Sequence, residues 1–403
     1  MRLIERTHYL NTLKSVLRTP DIKIITGIRR SGKSKLLEAL RFYIEKNIPN
    51  ANVIHINFNL VEAEGLMEYH ALHDYIMDKH KAGVDNFVMI DEVQMCDGFE
   101  HAINSLHASE MFDIYITGSN AFLLSSDLAT LFTGRTFKIE VFPFSFSEFC
   151  KYYEREDLDA AFLDFASLGG MAGSYVYEET WQKYAYIADV FNTLIVRDIK
   201  QRYKIRSDVA LDRVADFLMD NISNITSPNG VAKVLESNSN STDQKTVRKY
   251  IEYLTDAFAF YKVRRYDIRG KKYLASGEKY YLADQSFKYA LLGTKNMDWG
   301  RTFENIVAIE LLRRGYEVYA GMLYEKEIDF VALKRNEKLY IQVSDDISSD
   351  ETLERELSPL MKIRDAYPKL IIARTGHPEY DREGIRIIDI ARWLFDNGDM
   401  YYA

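Results

Sequence analysis

Over the first 142 residues, short runs of β-branched and apolar residues alternate with stretches long enough for amphipathic helices. Lys23–Thr26, Asn52–Asn57, Phe87–Ile90 and Asp113–Thr117 are the runs, and Phe137–Phe142 supplies a fifth. Apolar runs separated by helices are the pattern of parallel strands buried on both faces. From Pro143 to Lys204 the spacing turns helical, interrupted at Gly169, Gly170 and Gly173, which predicts a helical lid over 143–204. Leu211, Val214 and Leu218 then mark one helix, Ser227-Pro228 starts a second, and Val247, Ile251 and Leu254 stripe a third. Strand-like runs over Ala257–Tyr266 and Lys271–Leu274 flank a turn at Asp267–Gly270. Three helices followed by a hairpin is the order of a winged helix-turn-helix, expected over 205–290. The last hundred residues read as a helix (Phe303–Arg313), strands at Glu317–Ala320, Ile328–Leu333 and Leu339–Val343, a helix (Thr352–Arg364), a strand (Leu370–Ala373) and a terminal helix. That order predicts a separate α/β domain over 291–403.

Composition narrows the classes. With 403 residues, 47% hydrophobic and 28% charged, the chain is long enough for several cored domains and is neither disordered nor fibrous. The two cysteines, Cys96 and Cys150, are too few for a disulfide framework or a four-thiolate zinc site, and suit a reducing compartment. No signal-peptide pattern opens the sequence, so a cytoplasmic location is expected. No apolar run approaches the roughly 18 residues a membrane helix needs, so no membrane partner is expected. The net charge of -8 argues against global attraction to nucleic acid, and any such surface must be local.

The strongest chemical signal is Gly27-Ile-Arg-Arg-Ser-Gly32-Lys33-Ser34, which matches GxxxxGK[ST] between a strand and a helix. In such a loop the backbone N–H groups of Gly27, Arg29, Arg30, Ser31, Gly32 and the opening of the helix through Lys35 face phosphates. Lys33 reaches the β and γ phosphates, and the Ser34 hydroxyl ligates Mg²⁺. Asp91-Glu92 after the third strand completes the set, with Asp91 for Mg²⁺ through water and Glu92 to polarise the attacking water. ATP and Mg²⁺ are therefore the expected cofactors. Two further positions join as candidates: Asn120, after the fourth strand, beside the γ phosphate, and Arg135, which can reach a neighbouring subunit's nucleotide in a homo-oligomer.

These motifs in order resemble the AAA-superfamily ATPases. Leu131-Phe-Thr-Gly-Arg135, Pro143-Phe-Ser-Phe-Ser-Glu148, Gly169-Gly170, Glu327-Ile-Asp-Phe-Val331 and Gln342-Val343 are more narrowly similar to prokaryotic predicted ATPases with a C-terminal domain of unknown function. The implied fold class is α/β throughout: a P-loop, ASCE/AAA-like parallel core over 1–142, a helical lid, a winged helix, and a restriction-endonuclease-like domain that is catalytically degenerate.

Two C-terminal features add candidates. Between Thr242 and Lys272 nine basic residues stand against four acidic ones. Of these, Lys245, Arg248 and Lys249 lie opposite the apolar stripe, and Arg264, Arg265, Arg269, Lys271 and Lys272 lie on the hairpin, a distribution suited to duplex DNA or to a protein partner. Glu304, Asp329 and Gln342 follow the order of a PD-(D/E)xK core. Gln342 replaces the third acid and Ser344 stands where the lysine belongs, so a lysine would have to come from elsewhere, with Lys326 and Lys362 as candidates. Three functions follow: an ATPase that repositions the basic module on DNA, an ATP-dependent nuclease, or a slow nucleotide switch that binds a protein partner.

Overall fold

The computed structural model of the chain describes residues 4–118, 132, 134–205, 208–237, 242–270, 272–294 and 298–396. They form two compact units that divide at Phe142 and Pro143. In the first, strands β1 (Ile22–Thr26), β2 (Asn52–Asn57), β3 (Asn86–Asp91), β4 (Asp113–Thr117) and β5 (Thr136–Glu140) make one parallel sheet in the order β2-β3-β4-β1-β5. Side chains partition with the period of two that strands impose. Ile22, Ile24, Val88, Ile90, Ile114 and Ile116 pack on one face, whereas Ile25, Phe87, Met89 and Tyr115 pack on the other. Helices α1 (Thr7–Ser15) and α2 (Lys33–Asn47) cover the second face with Leu10, Leu13, Leu36, Leu37, Leu40 and Ile44. Helices α3 (Tyr69–Asp78) and α4 (Phe99–Ala108) cover the first with Leu72, Ile76, Ile103 and Leu106. This is the doubly covered parallel sheet that the hydrophobic runs predicted.

The second unit opens on helices α5 (Phe146–Tyr153), α6 (Leu158–Leu168) and α7 (Thr180–Thr193), the last continuing as a π-helix over Leu194–Gln201. The Pro-Phe-Ser-Phe-Ser-Glu segment has a mechanical reason: Ser145 and Glu148 form a reciprocal capping box that starts α5. Three helices follow, α8 (Asp208–Asp220), α9 (Pro228–Ser237) and α10 (Gln244–Asp256). In α10 the Asp243 carboxylate caps the N–H groups of Lys245 and Thr246, and Val247, Tyr250, Ile251 and Leu254 face inward at i, i+3, i+4 and i+7 spacing.

The expected hairpin is present as β6 (Phe260–Asp267) and β7 (Lys272–Leu282), but it is not a separate wing. The outer edge of β6 pairs in parallel with β8 (Glu317–Leu323), so the hairpin is the end of an eight-stranded sheet, β12-β13-β11-β10-β9-β8-β6-β7. The other strands are β9 (Lys326–Lys334), β10 (Glu337–Ser344), β11 (Lys369–Ala373), β12 (Tyr380–Arg382) and β13 (Ile385–Asp389). The division expected at 290/291 is therefore crossed by backbone hydrogen bonds. An unpaired strand edge is satisfied most cheaply by another strand, which local hairpin patterning does not reveal. The sequence reading also omitted β12 and β13, which are short and flank a turn at Glu383-Gly384. Helices α11 (Ser286–Leu292), α12 (Trp299–Arg313), α13 (Asp350–Met361) and α14 (Ile390–Phe395) complete the unit.

Gly169 lies against a buried carboxylate, and Gly170 lies against the Phe144 backbone. A Cβ on Gly169, which has φ +69°, would lie 1.9 Å from Asp284 Oδ1, and one on Gly170 would lie 2.2 Å from the Phe144 carbonyl. Asp284 accepts the N–H of Gly170 at 2.6 Å, the N–H of Ser286 at 3.0 Å and the Ser286 hydroxyl. Burial pushes its carboxyl up to about 6 despite these bonds, from an ordinary 3.8. The folded chain thus holds this proton more tightly than the unfolded chain does. Its contribution to stability is greatest below about pH 4, falls as pH rises through about 6 and is flat above. Two pH units correspond to about 3 kcal/mol. Urea midpoints of wild type and Asp284→Asn should therefore diverge in wild type's disfavour between about pH 4 and pH 7, and a pH-independent difference would contradict the assignment.

Candidate functional site

The loop joining β1 to α2 is built by backbone conformations that its glycines permit. Gly27 has φ +134°, and a Cβ there would lie 2.2 Å from the Val141 carbonyl; Gly32, at φ +98°, caps α2. Arg29, Arg30 and Ser31 form the intervening turn, with Arg30 also left-handed at φ +66°. Lys33 is only 4% exposed, and its Nζ donates to the carbonyls of Gly27 at 2.9 Å and Ile28 at 3.0 Å. The loop thus curls around a buried ammonium at a helix N-terminus, which concentrates positive potential where an anion can dock. The buried Ser31 hydroxyl has no hydrogen-bond partner among the described residues, which fits a loop shaped for a group that it binds. Arg6, ahead of α1, braces the turn by donating to the Ser31 carbonyl at 2.8 Å and stacking its guanidinium over Tyr9.

Strand order brings the acidic pair to the same end of the sheet. Asp91, 1% exposed, ends β3, and Glu92 follows in a left-handed conformation with φ +57°. Between β3 and β1 lies β4, whose last residue is Thr117. Its hydroxyl donates to Asp91 Oδ1 and accepts the Glu92 N–H at 3.1 Å, fixing both acids at once. The Glu92 carboxylate in turn accepts from the Gln94 amide. Ser34 and Asp91 line one cleft of about 930 Å³ together with Lys35, Arg41 and His55. Lys35 points outward and pairs with Glu38 at 2.6 Å. Burial, followed by the Arg41 guanidinium, holds His55 below its ordinary value, so the imidazole in this cleft favours the neutral form.

Of the other expected site residues, Asn120 lies outside the described residues. Arg135 is exposed and immediately precedes β5, its carbonyl accepting from Ile22 N–H at 2.9 Å. Because β5 runs parallel to β1, Arg135 sits at the sheet end opposite the loop, roughly 20 Å away at a strand rise of about 3.3 Å per residue.

In the second unit, Lys245, Arg248 and Lys249 are exposed on α10, and Arg264, Arg269 and Lys272 are exposed on the hairpin. Arg265 is half-buried, in register with Ala320 of β8, while Lys271 lies outside the described residues. Arg269 stacks over Tyr324 at 5.2 Å.

Helix α12, β9 and β10 bring Glu304, Asp329 and Gln342 together. Gln342 Oε1 accepts the Asp329 N–H at 2.7 Å, its amide donates to Glu356 at 3.0 Å, and Asp329 Oδ2 accepts the Val343 N–H at 2.8 Å. The lysine at this centre is neither Lys326, which donates to Ser358 at 2.8 Å, nor Lys362, which lies at the C-terminus of α13. It is Lys279 of β7, 2% exposed, paired with Glu304 at 2.8 Å and with Glu327. Tyr281 also donates to Glu304, at 2.7 Å. Burial, then the charge of Glu304, pushes the Asp329 carboxyl well above the usual carboxylate range; burial also raises Glu304, against the pull of Lys279. Lys279 itself is held above the ordinary lysine value by Glu304, Asp329 and Glu327, which outweigh its burial.

Residues 19–150 match the family described as AAA domain, and 159–298 match one described as a domain of unknown function. With this match, the strand order and the phosphate loop, the first unit is an AAA-type P-loop ATPase domain. The chain is 35% identical over 398 residues to an uncharacterized protein of Haemophilus influenzae, covering 97% of this chain and 98% of that one, and it belongs to that protein's family. An uncharacterized protein of Methanocaldococcus jannaschii is 28% identical over 358 residues, 85% of this chain and 78% of that one. Among solved structures, the Walker-type ATPase of Pyrococcus abyssi superposes with a TM-score of 0.48 at 16% identity, over 72% of this chain and 96% of that one.

Thr117, Arg6 and Lys279 are the residues that motif reading passed over. Only Lys279 carries a local signal, as a cation entering the apolar run Tyr280-Tyr281-Leu282. The geometry at Thr117 makes a direct prediction. Thr117→Val removes the hydroxyl that holds Asp91 and Glu92 and should lower ATP turnover roughly 10- to 100-fold, the usual cost of losing such a supporting bond, while nucleotide affinity changes little. Thr117→Ser should recover most of the rate, and a valine variant with wild-type turnover would remove Thr117 from the site.

Proposed function

We propose that the chain is a Mg²⁺-dependent ATPase whose nucleotide cycle acts on DNA through the basic surface of α10 and the β6–β7 hairpin. The observation that carries the ATPase half is the convergence of Lys33, Ser34, Asp91, Glu92 and Thr117 at one end of one sheet. Lys33 exchanges the Gly27 and Ile28 carbonyls for phosphate oxygens. Ser34 directly, and Asp91 through water, would hold Mg²⁺, in keeping with the few protein ligands Mg²⁺ usually takes at such sites, and the ion when bound would supply charge neutralisation to the phosphates. Glu92, aimed by its left-handed backbone and by Thr117, would orient the attacking water. Arg135, at the far end of the sheet from its own loop, is suited to a neighbouring subunit's nucleotide. A cation supplied that way accelerates phosphoryl transfer by about 10³- to 10⁵-fold.

The roles separate by mutation. Lys33→Ala should lose both nucleotide binding and turnover, whereas Glu92→Gln should bind ATP and hold it without hydrolysis. Fluorescent-nucleotide binding and phosphate release distinguish the two, and wild-type hydrolysis by Glu92→Gln would refute the assignment. Mixing Arg135→Ala subunits with Glu92→Gln subunits should restore turnover, since each supplies what the other lacks. Turnover that is independent of protein concentration and unrescued by mixing would place Arg135 outside the reaction.

The DNA half rests on charge placement. Lys245, Arg248 and Lys249 stand on the solvent face of a helix whose opposite face is buried, and Arg264, Arg269 and Lys272 are exposed on the adjoining hairpin. Phosphate contacts of this kind carry about 0.9 each in the slope of log affinity against log salt on duplex DNA. Arg264→Glu with Arg269→Glu should flatten that slope by about 2 and weaken binding to all sequences alike. Both positions are exposed, so the fold tolerates the change. An unchanged slope in salt-titrated anisotropy, or an ATPase rate indifferent to duplex DNA, would assign this surface to a protein partner instead.

A further inference from the structure

One face of the eight-stranded sheet ends in a group of tyrosine rings that the nucleotide site does not use. Strand register puts them together. Tyr266 of β6 is in register with Tyr273 of β7 and Gly321 of β8, and Arg264 is in register with Tyr319 of β8, so these residues share one face of three adjacent strands. The rings touch as a group, with centroids 5.1 Å apart for Tyr273 and Tyr319, 5.7 Å for Tyr266 and Tyr273, and 6.0 Å for Tyr266 and Tyr319. Helix α13 covers the same face over β9, β10 and β11, where Leu353, Leu357 and Leu360 pack with Val331, Tyr340 and Ile371. Tyr266 and Tyr319 pack, partly buried, against that core, whereas Tyr273 is 56% exposed. Cations alternate with the rings. Arg264 is exposed in register with Tyr319, and the Lys338 ammonium of β10 lies 5.3 Å from the Tyr266 centroid and 5.2 Å from that of Tyr367, a ring that is 44% exposed.

We propose that this face is a stacking platform for single-stranded DNA, with bases laid against Tyr273, Tyr319 and Tyr266 and the strand's phosphates drawn by Arg264 and Lys338. The inference rests on the DNA reading of the β6–β7 hairpin and extends it from the duplex to an unpaired strand. Two physical features select that occupant. Every base offers a π-face to an aromatic ring held at a surface, but bases inside a duplex are stacked on one another and cannot reach it. Rings alone would equally suit an apolar protein surface; rings interleaved with cations match a chain in which bases alternate with phosphates. The rings are also fixed before anything binds. Tyr319 donates its hydroxyl to Glu317 at 2.9 Å, and the Lys338 ammonium stands against the Tyr266 ring, which keeps the ordering cost of binding low.

The test is fluorescence anisotropy on the full chain with two probes, a labelled oligo-dT of about 15 nucleotides and a labelled duplex of the same length. Wild type should bind both. Tyr273→Ala should weaken oligo-dT binding about 5-fold or more, the effect of losing one base–ring stack. It should leave duplex affinity and the salt slope of oligo-dT binding unchanged, because a neutral ring displaces no counter-ions. Tyr273→Phe keeps the ring and should stay within about 2-fold of wild type on oligo-dT. Tyr273 is exposed, so neither substitution opens a cavity in the core. Oligo-dT binding that Tyr273→Ala does not weaken, or that Tyr273→Phe weakens as much as Tyr273→Ala does, overturns the proposal. A protein that binds the duplex and not oligo-dT overturns it too and leaves the duplex reading standing, whereas one that binds neither probe removes both readings and assigns the surface to a protein partner.

Discussion

The nucleotide site depends on the insertion of β4 between β1 and β3. The phosphate loop leaves β1 and the acidic pair ends β3, two strands that do not touch in the sheet. Thr117, at the end of the strand between them, fixes the acidic pair: its single hydroxyl donates to Asp91 and accepts from the Glu92 backbone. Its position follows from register: Thr117 pairs with Ile25, one residue short of the end of β1, while Ile116 pairs with Ile90. A slip of one residue would turn Thr117 to the opposite face and bury an apolar side chain against Asp91. The alternating burial of Ile114, Tyr115 and Ile116 prevents that slip, so packing on both faces of the sheet sets the chemistry at its end.

Buried charge in the second unit obeys the same rule with different partners. Asp284 is satisfied by backbone N–H groups and a hydroxyl, and the absence of a Cβ at Gly169 leaves room for its oxygens. Lys279 is satisfied by carboxylates on a helix and a strand. In each case a polar group in the interior joins segments distant in sequence, Gly170 to Asp284 and Lys279 to Glu304 and Glu327. Such joints contribute specificity of arrangement more than net stability, since desolvation offsets most of the attraction. The basic surface is the opposite case. Its cations are exposed on elements anchored by apolar residues behind them.

Much of the first unit could be read from the chain because its determinants are local. The apolar runs, the GxxxxGK[ST] loop between a strand and a helix, and Asp91-Glu92 after a buried strand all lie within windows of about ten residues, the range over which hydrophobic period and turn chemistry act. The helices α8, α9 and α10 and the exposed face of α10 were legible for the same reason. What tertiary structure alone decided is everything that depends on which strand edge meets which. The hairpin was visible but its pairing with β8 was not, because an edge strand presents the same hydrogen-bonding groups to any neighbour. Arg135 was visible as a candidate, but its place at the far end of the sheet required the parallel register of β5 with β1. The lysine of the acidic centre was sought near Glu327 and after Gln342 and was found on β7, because a buried charge is paired by proximity in space, over a gap of 25 residues to Glu304 that no local pattern spans.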